Sequence, residues 1–153
     1  MNPWIAGGIA LAVGMVLPLQ ALINARLGQT TSGSLFAAFM SFLVGTLALG
    51  AALLAARTRL PPMSALVQLP AWIWLGGLLG AAYILSATVL VTRLGAASLI
   101  CLIVLGQLAG SLLLDHFGVL STPRPADWMR ILGALLVAAG ALLVVRPWGA
   151  AAG

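Results

Sequence analysis

The sequence predicts an all-α integral membrane protein of five transmembrane helices, a single transmembrane domain over residues 1–153. Three observations predict it. Sixty-three per cent of the residues are hydrophobic and only 6% charged, against roughly 25% charged in a soluble domain. The apolar residues come in five long blocks, each near the ~20 helical residues that span ~30 Å of hydrocarbon. All five tryptophans, Trp4, Trp72, Trp74, Trp128 and Trp148, fall at block ends, where an amphipathic ring prefers the headgroup region.

Taken in order, the first block runs from about Trp4 to Ala25 and the second from Ser34 to Ala56. The third covers Ala71 to Val91, the fourth Ala96 to Leu114, and the fifth lies between Trp128 and Trp148, with Arg130 and Arg146 placed to snorkel outward. Barrel strands would be ~10 residues of alternating polarity; these blocks are continuous and rich in Leu, Ala and Gly, so they are helices. The first block lacks a basic leader and outruns a signal-peptide core, so it is expected in the mature structure. Thr92–Gly95 is short enough to predict a tight antiparallel hairpin between the third and fourth blocks. Arg57–Pro70, with Pro61, Pro62 and Pro70, is expected along the interface. Asp127 is expected to cap the fifth helix, and Ser32 or Ser34 the second.

The formal net charge of +5 comes from seven Arg scattered singly between blocks. They form no patch, which sets nucleic acid aside as a partner. One His, no Glu, no Lys and a lone Cys101 leave no metal-ligand cluster, no paired carboxylates and no nucleophile with its base. No cofactor, metal or enzymatic activity is expected.

Orientation follows the side richer in Lys and Arg. The face bearing the C-terminus holds Arg26, Arg93 and Arg146; the other holds Arg57, Arg59, Arg124 and Arg130. Such a near tie is compatible with insertion both ways, so that two copies of opposite orientation pair about an axis in the membrane plane. A weak bias giving one orientation, with a separate partner protein, is the alternative.

Polar side chains inside the blocks mark inward faces. Gln20 and Asn24 lie one turn apart above Pro18, and Gln107, Ser111 and Asp115 share one face at i, i+4, i+8. Asn24 and Gln107 fit a solute cavity or an interhelical hydrogen bond equally well; Gln20, beside the proline, fits the hydrogen bond better. Tyr83 needs a hydroxyl partner at its depth, in a cavity or on another helix. Asp115 lies near a helix C-terminus, where the helix dipole disfavours negative charge, so Arg124 or Arg130 is expected to compensate it. A coupling or gating role for Asp115 is the functional alternative to that salt bridge. Gly76 with Gly80, Gly106 with Gly110, and Gly133 with Gly140 are expected at close helix contacts.

Four local strings then read together: Gln20-Ala-Leu-Ile-Asn24-Ala-Arg-Leu-Gly28, Ser41-Phe-Leu-Val-Gly-Thr46, Gly76-Gly-Leu-Leu-Gly-Ala-Ala-Tyr83, and Gly106-Gln107 followed by Asp115-His-Phe-Gly118. The chain resembles the YdcZ-type branch of the drug/metabolite transporter superfamily over nearly its whole length. The resemblance implies half of a ten-helix inverted repeat, rebuilt by an antiparallel homodimer or by an oppositely oriented paralogue. It also implies a bacterial inner-membrane location. The related four-helix small multidrug resistance transporters use a membrane-embedded Glu, and this chain has none. The expected function is alternating-access transport of a small metabolite or drug-like solute, with Asn24, Gln107, Tyr83, Gln20 and Ser111 at the cavity. A small dual-topology channel and a non-transporting scaffold subunit are the alternatives.

Overall fold

The computed structural model describes residues 2–120 and 122–145. Five helices among them are long and apolar enough to cross a membrane. The helix α1 covers Pro3–Thr30, α2 covers Ser34–Ala55, the short α3 covers Met63–Val67, a 3₁₀ turn covers Ala71–Trp74 and α4 follows over Leu75–Leu94. After Gly95 come α5, Ala96–Phe117, and α6, Trp128–Val145. Between 6% and 11% of the residues in each span's most apolar stretch are buried by the chain itself, so lipid or another chain must cover the rest.

Helix α1 begins where Asn2 Oδ1 accepts the Trp4 N–H at 3.0 Å with Pro3 at the first helical position, a position that needs no N–H. It runs five residues beyond the expected Ala25. Arg26 ends the apolar block but breaks no hydrogen bond, and the ladder persists until the Thr30 and Thr31 hydroxyls donate back to the carbonyls of Arg26 and Leu27. At 28 residues the helix is about 42 Å long. The expected serine cap of α2 is absent: Gly33 occupies the cap position at φ +102°, with no side-chain cap bond. Ser32 and Ser34 flank that position without filling it.

Two helices end alike. After α2, Arg57 sits at φ +49°, its N–H donating to Leu54 O at 3.0 Å and that of Thr58 to Leu53 O at 3.1 Å. After α5, Gly118 sits at φ +64°, with its own N–H to Asp115 O and that of Val119 to Leu114 O. Both are left-handed closures that satisfy otherwise orphaned carbonyls. Helix α5 thereby continues past Leu114 to include Asp115 and His116. Helix α6 starts at Trp128 as expected, while Arg146 and Trp148 lie outside the described residues.

The chain forms two compact units, residues 1–93 and 94–153. In the first, α1 packs on α2. The face α1 buries is Ala21, Asn24, Ala25 and Gly28, and α2 buries Ala37 and Ala38. Small side chains at i, i+3, i+4, i+7 bring the two backbones close. A Cβ on Gly28 would lie 3.2 Å from Ser34 Cα. In the second unit α5 packs on α6.

The glycines expected at close contacts fare differently. Gly80 faces Phe42 Cζ of α2, 3.4 Å from where its Cβ would be. Gly76, Gly106, Gly110, Gly133 and Gly140 have open space at that position, so their motifs bring no backbones together within the described residues.

Gly118 has no tolerance for a side chain. Its φ is +64°, and a Cβ would meet Pro123 Cγ at 2.5 Å. Gly118→Ala is therefore expected to cost about 1–3 kcal/mol, whereas Gly133→Ala, with room for a methyl, should leave the chain as stable or slightly more so. Unfolding midpoints of the two variants in one detergent check this.

Candidate functional site

The first unit carries a polar cluster on the facing sides of α1 and α2. Asn24, only 5% exposed, donates from Nδ2 to Ser41 Oγ at 3.4 Å. Gln20, one turn nearer the N-terminus, is half-buried and its amide makes no hydrogen bond among the described residues. It borders two grooves. One, of about 370 Å³, is lined by Gln20, Asn24 and Ser41 with Val16, Ile23, Met40 and Val44 among the apolar walls. The other, of about 270 Å³, is lined by Gln20, Ser41, Thr46 and, from α4, Ile84. Gln20 and Ser41 are common to both.

The sequence left Asn24 open between a cavity and an interhelical bond and favoured the bond for Gln20. Asn24 makes the interhelical bond while still bordering a groove, and Gln20, expected to bond another helix beside Pro18, presents its amide to the open space instead. Ser41 and Thr46, inside the second apolar block, belong to the cluster although neither was singled out as a site residue. The signal for them was two hydroxyls in the interior of a 22-residue apolar span. Tyr83 is half-buried in α4 and donates no hydrogen bond among the described residues; its neighbour Ile84 is the one that lines the groove.

The second unit carries a different site. Ser111, Asp115 and Arg130 line a groove of about 400 Å³ between α5 and α6. Arg130 Nη1 stands 3.9 Å from Asp115 Oδ2, the two side chains being 40% and 45% exposed. The compensating partner of Asp115 is thus Arg130, in a pair open enough to be worth at most about 1 kcal/mol. Arg124 contributes through its backbone, its N–H donating to Asp115 O at 2.8 Å. Asp127 Oδ1 accepts the Arg130 N–H at 2.8 Å, the expected helix cap. His116 Nδ1 accepts from the Ala126 N–H at 3.4 Å. These bonds tie the connection after α5 back onto the helix it leaves.

Ser111 donates its hydroxyl to Leu108 O of its own helix at 3.0 Å, and Gln107 is exposed on α5. Sequence spacing put Gln107, Ser111 and Asp115 on one stripe; the structure joins only Ser111 and Asp115 in the groove. Among the described residues no group of three His, Cys, Asp or Glu side chains could hold a metal ion.

Charge is confined to the ends of the spans. Arg26 lies four residues from the end of α1, Arg93 one from the end of α4, Asp115 two from the end of α5 and Arg130 two from the start of α6. Arg57, Arg59, Arg124 and Asp127 fall outside the five helices, and Arg146 follows Val145 in sequence. Gln20 lies ten residues from Thr30, about 15 Å along the axis, and so deep in the span.

A family described as "Putative inner membrane exporter, YdcZ" matches residues 5–143. The chain belongs to the YdcZ family. It is 32% identical over 148 residues to the inner membrane protein YdcZ of Escherichia coli K12, covering 95% of this chain and 98% of that protein. No solved structure matches it. Membership puts this chain among inner-membrane transport proteins, which are not an enzyme class, and five apolar helices of membrane length agree with that location.

The different environments of the two α1 amides are separable by stability. Asn24→Leu removes the bond to Ser41 and is expected to cost about 1 kcal/mol. Gln20→Leu removes no bond and should stay within about 0.5 kcal/mol of the parent. Equal losses in a reversible unfolding assay would contradict the assignment of Asn24 alone to the helix interface.

Proposed function

We propose that this YdcZ-family chain is one half of an alternating-access secondary transporter for a small metabolite or drug-like solute. A second copy in the opposite orientation supplies the other half, giving ten helices related as an inverted repeat. The observation that carries this reading is the Gln20 amide, ten residues inside α1, making no hydrogen bond among the described residues and opening on grooves between helices. Polar groups are costly at that depth unless a cavity or a ligand answers them. The near tie of basic residues on the two faces supports insertion in both orientations, and the family's description as exporters supports outward movement.

In this reading the α1–α2 grooves hold the solute near the bilayer midplane. The Asp115–Arg130 pair, at the end of its helices and open to water, serves as a gate that makes and breaks. An ion pair held at 3.9 Å is weak enough to open without a large cost.

Orientation is tested with Cys101→Ala carrying Ala151→Cys as its single thiol, labelled in intact and then permeabilised cells with a membrane-impermeant reagent. About half the protein should react from outside. Labelling from one side alone would overturn the homodimer and direct the search to an oppositely oriented paralogue. Counterflow in proteoliposomes, with a panel of labelled metabolites, should show uptake stimulated by solute on the far side; flux that never responds to the far side would favour a pore.

A further inference from the structure

Deepening the transporter reading, on which it rests, we infer that the solute taken at the α1–α2 grooves is electrically neutral: a mostly apolar molecule with one or two hydrogen-bond acceptors. Three observations lead there. The grooves offer amides and hydroxyls, from Gln20, Asn24, Ser41 and Thr46, set in apolar walls. Every charged side chain in the described spans lies within four residues of a helix end, about 6 Å. Gln20 stands about 15 Å from one end of α1 and about 25 Å from the other.

None of the residues lining either groove is charged; the nearest charge along α1 is Arg26, six residues from Gln20 toward the helix end, or about 9 Å along the axis. A cation or anion in the groove would leave water for an apolar wall without an opposing charge, which is the costly case. A neutral solute loses little, and an acceptor on it regains a hydrogen bond from the Gln20 Nε2–H, whose two donors are otherwise unused. The 370 Å³ of the larger groove suits a molecule of two or three rings.

The test uses a matched pair of probes of nearly equal size and shape: triphenylphosphine oxide, a neutral acceptor, and methyltriphenylphosphonium, a cation. Binding of each radiolabelled probe to the purified full chain in lipid nanodiscs is measured by equilibrium dialysis, with empty discs subtracted for partition. The oxide should bind at least tenfold more tightly than the phosphonium. Gln20→Leu should weaken the oxide about fivefold, the loss of one hydrogen bond, and Gln20→Glu should gain phosphonium binding. Phosphonium binding as tight as the oxide, oxide binding indifferent to Gln20→Leu, or no binding of either probe would each overturn the inference. Oxide binding that depends on Gln20 in a protein that shows no counterflow would keep the neutral site and remove the transporter reading.

Discussion

A bilayer core offers no water to a polar group, and nearly every polar detail of this chain follows from that one constraint. Three hydroxyls within the spans bond back to their own helices: Thr88 to Ile84 O at 2.8 Å, Thr92 to Val89 O at 2.7 Å, Ser111 to Leu108 O at 3.0 Å. Asn24 finds Ser41 on the neighbouring helix. Among the described residues no buried side-chain nitrogen or oxygen is left without a partner. Charges retreat to the helix ends, where headgroups and water are within reach. Against that economy Gln20 and, in the second unit, Gln107 stand out: each amide lies ten residues inside a helix end and makes no hydrogen bond among the described residues.

The two helix pairs are held by different means. Helices α1 and α2 meet along alanines, an asparagine and Gly28, so their association depends on close backbone approach and one hydrogen bond rather than on interlocking large side chains. Helices α5 and α6 are joined by a connection that is itself bonded down. The Asp115 carbonyl accepts from Gly118 and Arg124, His116 accepts from Ala126, and Asp127 caps α6. A smooth seam of small residues lets α1 and α2 approach closely, while the bonded connection fastens α5 and α6 together at one end.

Much of this was legible in the sequence, and the part that was not has physical causes. Long apolar blocks and tryptophans at their ends located all five helices, because the bilayer dictates length and rings prefer its boundary. Helix ends were harder. Polarity stops a block at Ala25 or Leu114, but a helix stops only where its carbonyls find other donors, at Thr30 and at Gly118. The Asp127 cap was readable since a carboxylate before a helix has one obvious local partner. The α2 cap was not, because Gly33 rather than a serine takes the conformation the turn requires. Glycine spacing misled for a similar reason: Gly-x-x-x-Gly says that a face is smooth, not that anything lies against it. The real close approach, Gly28 against Ser34, sits outside any such pair. Gln20 and Asn24 lie one turn apart and only about 40° around the helix, so sequence spacing does not say which of them bonds α2.

The same charge distribution bears on two properties usually treated apart. Because the basic residues lie at helix ends on both faces in near-equal number, they give insertion little direction. Because those within the described helices lie within four residues of an end and the groove linings hold none, they give the grooves no sign. In the proposed pairing of two oppositely oriented copies, the α1–α2 grooves of both would be lined by uncharged side chains, so that reversing the access direction would move no groove charge across the membrane. Selectivity is then left to hydrogen bonding and shape, and in the α1–α2 grooves both depend on how Gln20 is held. Pro18, two residues before it, removes a ladder N–H from α1. The missing bond to the Gly14 carbonyl loosens α1 in the turn before Gln20.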